Sequence, residues 1–329
     1  MDNMDNMDNR SDFLIATSSI PDLLVDTNNE IQTFHGSWYR GDNLNFIPSK
    51  SLLKSADALD KYVLKGYLPS QHIIDKQTVV TAFGSCFARN ISEWLLGKGF
   101  NVLGKRLNLN SHIIRFGEGM VNTFAIREQL EWALDDKSLT EGLWFGENKE
   151  IALPDERVRL NTKNLLTQTK VLIITIGLSE IWFDKTSGRA FWRAIPSDKF
   201  DNKRHGFRLS TVEENTENLE AIANLVQKHI PDCKVVFTLS PIPLMATFRS
   251  INCISANTIS KAILRISLDN LSYGDEYGRY YFPSYELVKE VFENPFKDDN
   301  RHVKPEYVRK IMELFGKHFC LQDETKNEG

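Results

Sequence analysis

The sequence has few cysteines, no long apolar segment and no strong excess of either charge. Its four cysteines lie far apart and form no CxxC pair, so a zinc ribbon, a thioredoxin-like site and a disulfide framework have no support. The longest apolar run, residues 171–176, is far too short to span a bilayer. A net charge of −4 gives no electrostatic reason to expect a nucleic-acid or membrane partner.

Targeting and cofactor signals are missing too. The N-terminus is acidic and polar, and it lacks the basic start and apolar core of a signal peptide. The seven histidines show no metal-ligand spacing, and Gly117 and Gly119 lack the third glycine of a dinucleotide-binding loop. We therefore expect a cytoplasmic protein that uses no metal and no cofactor.

The chain divides into four segments by composition. Residues 1–12 repeat Met-Asp-Asn three times and are polar, which predicts a disordered tail. Residues 13–76 carry scattered apolar and aromatic groups without periodicity, which predicts an irregular arm packed on the core. A regular pattern begins at residue 77, and we expect one domain over 77–320 and a disordered tail at 321–329.

Buried strands alternate with amphipathic helices along this domain. Apolar, β-branched runs predict strands at 78–83, 170–176 and 234–239, with a further strand starting at 101–103. Apolar spacings of three and four predict helices at 87–96, 125–134, 213–228, 257–268 and 305–319. The alternation predicts an α/β protein with three layers around a parallel sheet, whose active crevice lies beyond the carboxyl ends of the strands.

A serine lies at one of these strand ends, in the segment Gly84-Ser85-Cys86-Phe87-Ala88. Free backbone N–H groups and the helix dipole favour developing negative charge there. Such a serine is often only a helix N-cap, but Ala88 three residues later gives no capping box. The position therefore favours a nucleophile at Ser85. Cys86 is the rival nucleophile, because a helix N-terminus lowers the pKa of a thiol.

An Asp-x-x-His motif, Asp299 to His302, comes directly before the last predicted helix. Ser, Asp and His in this order match one of the chain orders found in hydrolase triads. His302 would act as general base, and Asp299 would hold its imidazole. The alternatives are a surface histidine at 302 and Asp298 in place of its neighbour.

The segment at 84–88 spells GSCFA, and the chain resembles the GSCFA family, a branch of the SGNH (GDSL-like) hydrolases. Similar segments follow in the family's order at 175–182, 240–243, 260–264 and 281–286, and the Asp-x-x-His motif resembles the superfamily's terminal block. The likeness covers about residues 35–320. It implies a flavodoxin-like α/β/α sheet and a hydrolase or acyltransferase that uses Ser85, His302 and Asp299 without a metal.

The resemblance also implies an oxyanion hole, which in SGNH enzymes consists of the nucleophile's N–H, a glycine N–H and an asparagine amide. Here Gly84 precedes the nucleophile. Gly177 opens the segment at 177–180, which resembles the superfamily's third conserved block, Gly-x-Asn-Asp, but Ser179 stands where that pattern has its asparagine. Asn122 is the candidate substitute for that side-chain donor. Glu180, directly after this block, is either a pocket residue or a surface carboxylate.

These signals predict a serine ester hydrolase that works through an acyl-enzyme. We expect a small-molecule or glycan ester as substrate. The basic, aromatic segment at 185–208 is predicted to be a solvated covering loop, and the alternative is that it grips an anionic or carbohydrate substrate. Two other functions fit the same sequence: O-acyl transfer to a carbohydrate hydroxyl, and non-catalytic carbohydrate binding on the same fold. Nothing in the sequence indicates an oligomeric state.

Overall fold

The computed structural model describes residues 13–16, 22–27, 30–35, 45, 47–103, 111, 121–138, 155–192 and 194–321. The chain forms two compact units, residues 1–50 and 51–329. The predicted tail at 1–12 lies outside the described residues, as does all of the predicted tail at 321–329 except Leu321.

The first unit contains a small antiparallel sheet. Its strands are β1 (Phe13–Ala16), β2 (Asp22–Thr27) and β3 (Glu30–His35), in the order β1-β2-β3. The prediction of irregular structure is wrong here, because short strands of four to six residues give too few repeats for periodicity to show.

The rest of the predicted arm belongs to the second unit. Residues 51–76 contain a 3-10 turn, Leu52–Lys54, and a π-helical turn, Asp60–Leu64. Leu64 and Ile74 are buried in the hydrophobic core of this unit. Residues 51–76 therefore pack on the core of the second unit, whereas the predicted division into arm and domain, with its boundary at 77, stays a prediction.

The second unit is built around a five-stranded parallel sheet and a separate two-stranded hairpin. Its strands are β4 (Val79–Gly84), β5 (Asn101–Val102), β6 (Val171–Ile176), β7 (Glu180–Asp184), β8 (His205–Leu209), β9 (Lys234–Leu239) and β10 (Arg279–Tyr281). The parallel sheet has the order β10-β9-β6-β4-β5, and β7 pairs with β8 antiparallel. Numbered along the chain, the parallel sheet reads 2-1-3-4-5, which is the flavodoxin-like order. The predicted fold class is confirmed.

Helices cover both faces of the parallel sheet. They are α1 (Cys86–Gly97), α2 (Thr123–Leu134), α3 (Glu156–Gln168), α4 (Val212–His229), α5 (Cys253–Asp269), α6 (Ser284–Glu286) and α7 (Pro305–Phe319). Leu172 and Ile174 of β6 belong to the core cluster under α2 to α5, whereas Val171 and Ile173 belong to the cluster under α1 and α7. Because alternate residues of one strand supply opposite cores, the unit has three layers.

The site lies where β4 and β6 end, at the reversal of strand order that forms a crevice in such sheets. Gly84, the last residue of β4, pairs with Thr175 and has a φ of +121°. A Cβ at this position would overlap the carbonyl oxygen of Thr175. Only glycine fits both the backbone angle and the close approach.

We expect Gly84→Ala to lower the free energy of unfolding by more than about 4 kcal/mol, or to prevent folding, because steric overlap adds to backbone strain. Gly188→Ala is the matched control, since Gly188 also has a positive φ of +73° but open space around it. The control should lose only about 1–2 kcal/mol. Urea unfolding measures both, and equal losses would contradict the steric argument.

Candidate active site

Ser85 begins α1, directly after the end of β4. Its Oγ accepts hydrogen bonds from the Phe87 N–H at 3.2 Å and from the Thr175 hydroxyl at 3.0 Å. The serine therefore does cap α1, through the second N–H of the helix, a bond that needs no capping box. Because the oxygen accepts in both bonds, the hydroxyl proton stays available to a base.

Three of the predicted oxyanion donors are already hydrogen-bonded. The Ser85 N–H donates to the carbonyl oxygen of Thr175 at 3.1 Å and to its Oγ1 at 2.6 Å. The Gly177 N–H donates to the Val121 carbonyl at 2.8 Å. Ser179 is buried, and both its N–H and its hydroxyl donate to Ser260 Oγ at 3.0 Å. None of these groups points freely into the crevice in this conformation.

Asn122 differs from these donors. It is the N-cap of α2, and its Oδ1 accepts from the Ala125 N–H at 2.8 Å. In the described part of the chain no hydrogen bond engages its Nδ2. The N–H groups of Gly177 and Leu178 hold the preceding Val121 carbonyl, at 2.8 and 3.3 Å, and so fix this segment at the carboxyl end of β6. Asn122 is thus the predicted donor with an open N–H.

The predicted histidine–aspartate pair is present. His302 Nδ1 is hydrogen-bonded to Asp299 Oδ2, and Asp299 Oδ1 accepts from the N–H groups of Arg301 at 3.0 Å and His302 at 2.9 Å. These bonds hold the pKa of the Asp299 carboxyl well below its usual range. The pairing selects Asp299 over Asp298. Both side chains are accessible, with 54% of His302 and 45% of Asp299 exposed.

This pair and Ser85 lie at the same edge of the sheet. The α7 helix ends beside Ile74, which leads into the start of β4, so the end of α7 lies at the amino edge of the sheet. The start of α7 therefore lies at the carboxyl edge, where α1 also begins. The Trp94 ring of α1 fills the space over Gly316 of α7. Trp94 lies nine residues after Ser85, or about 14 Å along α1, and Gly316 lies eleven residues after Pro305, or about 17 Å along α7. Measured from this shared contact, the two helices therefore begin at nearly the same height above the sheet.

The triad is not closed by a hydrogen bond in this conformation. Within the described ranges, Ser85 Oγ bonds to Phe87 and Thr175 but not to His302, and Nε2 of His302 has no partner. Arg301 Nε lies 3.5 Å from the Pro243 carbonyl oxygen. This contact joins the hairpin of residues 296–303, here called the histidine hairpin, to the loop after β9. Apo geometry of this kind is compatible with a general base, because catalytic hydrogen bonds often tighten only with substrate.

Only one of the two predicted positions of Glu180 is wrong, and its place as a pocket residue stays a prediction. Its side chain is 3% exposed, so it is not a surface carboxylate. Its Oε1 accepts from the Thr247 hydroxyl at 3.0 Å and lies 3.6 Å from Arg249 Nη1. The carboxylate therefore ties the loop between β9 and α5 to the start of β7.

The sequence interpretation missed Lys261 on α5. This side chain is 1% exposed, and its Nζ donates to the carbonyl oxygens of Gly177 at 3.0 Å and Ser240 at 2.8 Å. Burial lowers the pKa of Lys261 to about 7. A lysine next to Ser260 and three residues before Leu264, on the inward face of α5, was the available signal.

Three of the six described lysine and arginine side chains in the basic, aromatic segment at 185–208 are held in ion pairs. Arg189 pairs with Glu128, Arg204 with Asp184 and Arg208 with Glu214, each at 2.7 to 2.9 Å. These ion pairs weaken the case for an anionic substrate, and Arg193 lies outside the described residues.

Neither a metal cluster nor a membrane span is found where the structure describes the chain. No three His, Cys, Asp or Glu side chains of the described ranges are grouped so that they could hold a metal ion. No helix in those ranges is both long and apolar enough to cross a bilayer.

Comparison with known proteins identifies a family for the chain. The profile of the GSCFA family matches residues 79–315, a range that includes Ser85, Asp299 and His302. Among solved structures, the chain is similar to a putative GDSL-like lipase from Parabacteroides merdae, with 15% identity and a TM-score of 0.35, over 75% of this chain and 98% of that chain. No curated protein matches the sequence.

We expect Glu180→Ala to loosen the loop between β9 and α5, because Thr247 and Arg249 lose their shared partner. Trypsin should then cut after Arg249 at least about tenfold faster, which corresponds to about 1.4 kcal/mol in the free energy of loop opening. Mass spectrometry of the fragments measures the rate. Glu214→Ala is the control, since it frees Arg208 elsewhere, and an equal increase at Arg249 in this control would contradict a local clamp.

Proposed function

The chain belongs to the GSCFA family, and from this premise we propose that it hydrolyses esters, with Ser85 as nucleophile, His302 as general base and Asp299 orienting the base. Family membership supports a hydrolase of the SGNH type. One observation supports the residue assignment above all: a bonded imidazole–carboxylate pair lies at the same sheet edge as a serine between strand and helix.

In the proposed reaction, His302 Nε2 takes the hydroxyl proton of Ser85 while Oγ attacks the ester carbonyl carbon. The tetrahedral intermediate collapses, the imidazolium protonates the leaving alcohol, and an acyl-enzyme remains. Water then gives a proton to His302 and attacks the acyl carbonyl carbon. As the second tetrahedral intermediate collapses, His302 returns that proton to Ser85 Oγ, and the acid and free Ser85 are released. Asp299 stays ionised and stabilises the imidazolium, which agrees with its lowered pKa.

Asn122 is the side chain that we propose for the oxyanion. Its Nδ2 has no hydrogen bond within the described ranges, whereas the N–H groups of Ser85 and Gly177 do. The amino end of α1 adds a favourable dipole at the same place. A single donor of this kind typically contributes about 3 kcal/mol to the transition state.

We expect Ser85→Ala to lower kcat by about 1,000-fold or more with an aryl ester, because no other hydroxyl replaces the nucleophile. The variant loses its N-cap bond and about 1 kcal/mol of stability, so thermal unfolding is measured beside turnover. An organophosphonate probe should label the parent protein at Ser85 and leave this variant unlabelled.

Cys86→Ala is the matched control for the neighbouring thiol. It should keep its turnover and its labelling by the phosphonate at Ser85. Loss of turnover in this control, together with full activity in Ser85→Ala, would transfer the nucleophile to Cys86 and refute the serine assignment.

The engaged N–H groups of Ser85 and Gly177 favour one second function, a non-catalytic carbohydrate-binding protein. A donor that stays bonded to Thr175 or Val121 cannot stabilise an oxyanion. The same probe separates the two functions, since a folded protein that never reacts at Ser85 supports binding without catalysis.

We further propose a small-molecule or glycan ester as substrate and water as the acyl acceptor. Incubation with an aryl acetate and a series of sugars, followed by mass spectrometry, should give free acid in proportion to the ester consumed. Acylated sugar that increases with sugar concentration would instead establish an O-acyltransferase. The cytoplasmic location stays a prediction.

A further inference from the structure

A fully buried lysine joins the ends of two strands in the second unit. The Lys261 ammonium group bridges the carbonyl oxygens of Gly177, after β6, and Ser240, after β9. Burial of a charge costs several kcal/mol, and an apolar residue of similar size commonly gives equal or greater stability. Stability alone is therefore a poor explanation for a lysine here.

One side of this bridge leads to Asn122. The Gly177 carbonyl accepts from Lys261, and the N–H groups on either side of that carbonyl, those of Gly177 and Leu178, both donate to the Val121 carbonyl. The next residue is Asn122, whose amide has an open Nδ2. Lys261 thus holds the Gly177–Leu178 peptide group, and that segment in turn holds Val121, the residue before the proposed oxyanion donor.

The other side leads to His302. The Ser240 carbonyl accepts from Lys261, and the chain then runs through Pro241 and Ile242 to the Pro243 carbonyl, which accepts from Arg301 Nε. The N–H groups of Arg301 and His302 both bond to the same Asp299 oxygen. Arg301 therefore holds the histidine hairpin against the loop after β9, and Lys261 holds Ser240, the first residue of that loop.

We propose that Lys261 is a positioning residue of the active site, and that its bridge sets the spacing between the Asn122 amide and the His302 imidazole. This inference rests on the proposed hydrolase function. The lysine touches no substrate, and it acts through the two carbonyl groups.

The bridge does not require a permanent charge. With a pKa of about 7, Lys261 changes protonation near neutral pH. The neutral amine still carries two N–H groups, one for each carbonyl oxygen. Both forms therefore maintain the spacing, and what matters is a donor of this length at this position.

Lys261→Met tests the proposal, since methionine keeps most of the volume and removes the donors. We expect kcat for an aryl ester to fall by about 100-fold, the scale of a 1 Å misplacement, with KM changed by less than about threefold. The rate of phosphonate labelling at Ser85 should fall with kcat.

Ser267→Ala is the matched control. Ser267 is also buried on α5, and its hydroxyl donates to the carbonyls of Val212 and Ile263 at 3.1 and 2.9 Å, neither of which Lys261 holds. The control should lose stability and keep kcat, which separates positioning from general weakening of the fold. A folded Lys261→Met protein with kcat within twofold of the parent would overturn the proposal.

A double-mutant cycle with Asn122→Ala tests the route of the effect. If Lys261 acts through Asn122, the loss in the double variant should stay well below the product of the two single losses. Fully multiplicative losses would overturn this route. Lys261→Leu, which also removes the donors, replaces the methionine variant under the same criteria if the latter does not fold.

Ser85→Ala in the same assay distinguishes the two proposals. Turnover that survives in Ser85→Ala would refute the hydrolase mechanism, and the lysine proposal with it. Turnover lost in Ser85→Ala but kept in a folded Lys261→Met or Lys261→Leu protein would refute the lysine proposal alone.

Discussion

The contact between the Ser85 N–H and the carbonyl and hydroxyl oxygens of Thr175 fixes the point at which β4 ends and α1 begins. It depends on Gly84, because any side chain at that position would overlap the Thr175 carbonyl. The same pairing brings the ends of β4 and β6 together at the reversal of strand order. Helix start, serine orientation and crevice therefore follow from one close approach between two strands, and the rest of the site is arranged around it.

This contact also limits the chemistry that the site can perform. A backbone N–H that stabilises the fold through Thr175 is not free for an oxyanion, and the Gly177 N–H is used in the same way by Val121. Transition-state charge would then depend on the Asn122 amide and on the α1 dipole. The main-chain bonds and Lys261 determine where that amide lies, so fold stability and proposed catalysis draw on the same small set of hydrogen bonds.

Local pattern predicted the parts of the structure that are buried on both faces. The strands at 170–176 and 234–239 match β6 and β9 within one residue, because β-branched runs of this kind favour no other element. The start of α5 was placed four residues late, since Ile254 near its first turn is exposed and gives no inward spacing. The three-residue β10 and the helix α3 gave signals too short or too polar to detect.

The sequence predicted a candidate serine hydrolase site, but not the hydrogen bonds of Glu180 and Lys261 around it. Chain order and the Asp-x-x-His motif predicted the roles of Ser85 and His302, which stay predictions. The hydrogen bond between Glu180 and Thr247 joins residues 67 positions apart and leaves no local pattern. A lysine in a helix is usually solvated, so Lys261 appeared unremarkable until its two carbonyl partners were known. The His302–Asp299 pair is exposed in this conformation. In the proposed reaction, an ester bound against Ser85 would cover the imidazole and exclude water from it. The pair would then act in a lower dielectric, where its hydrogen bond to the carboxylate is stronger than in the open site.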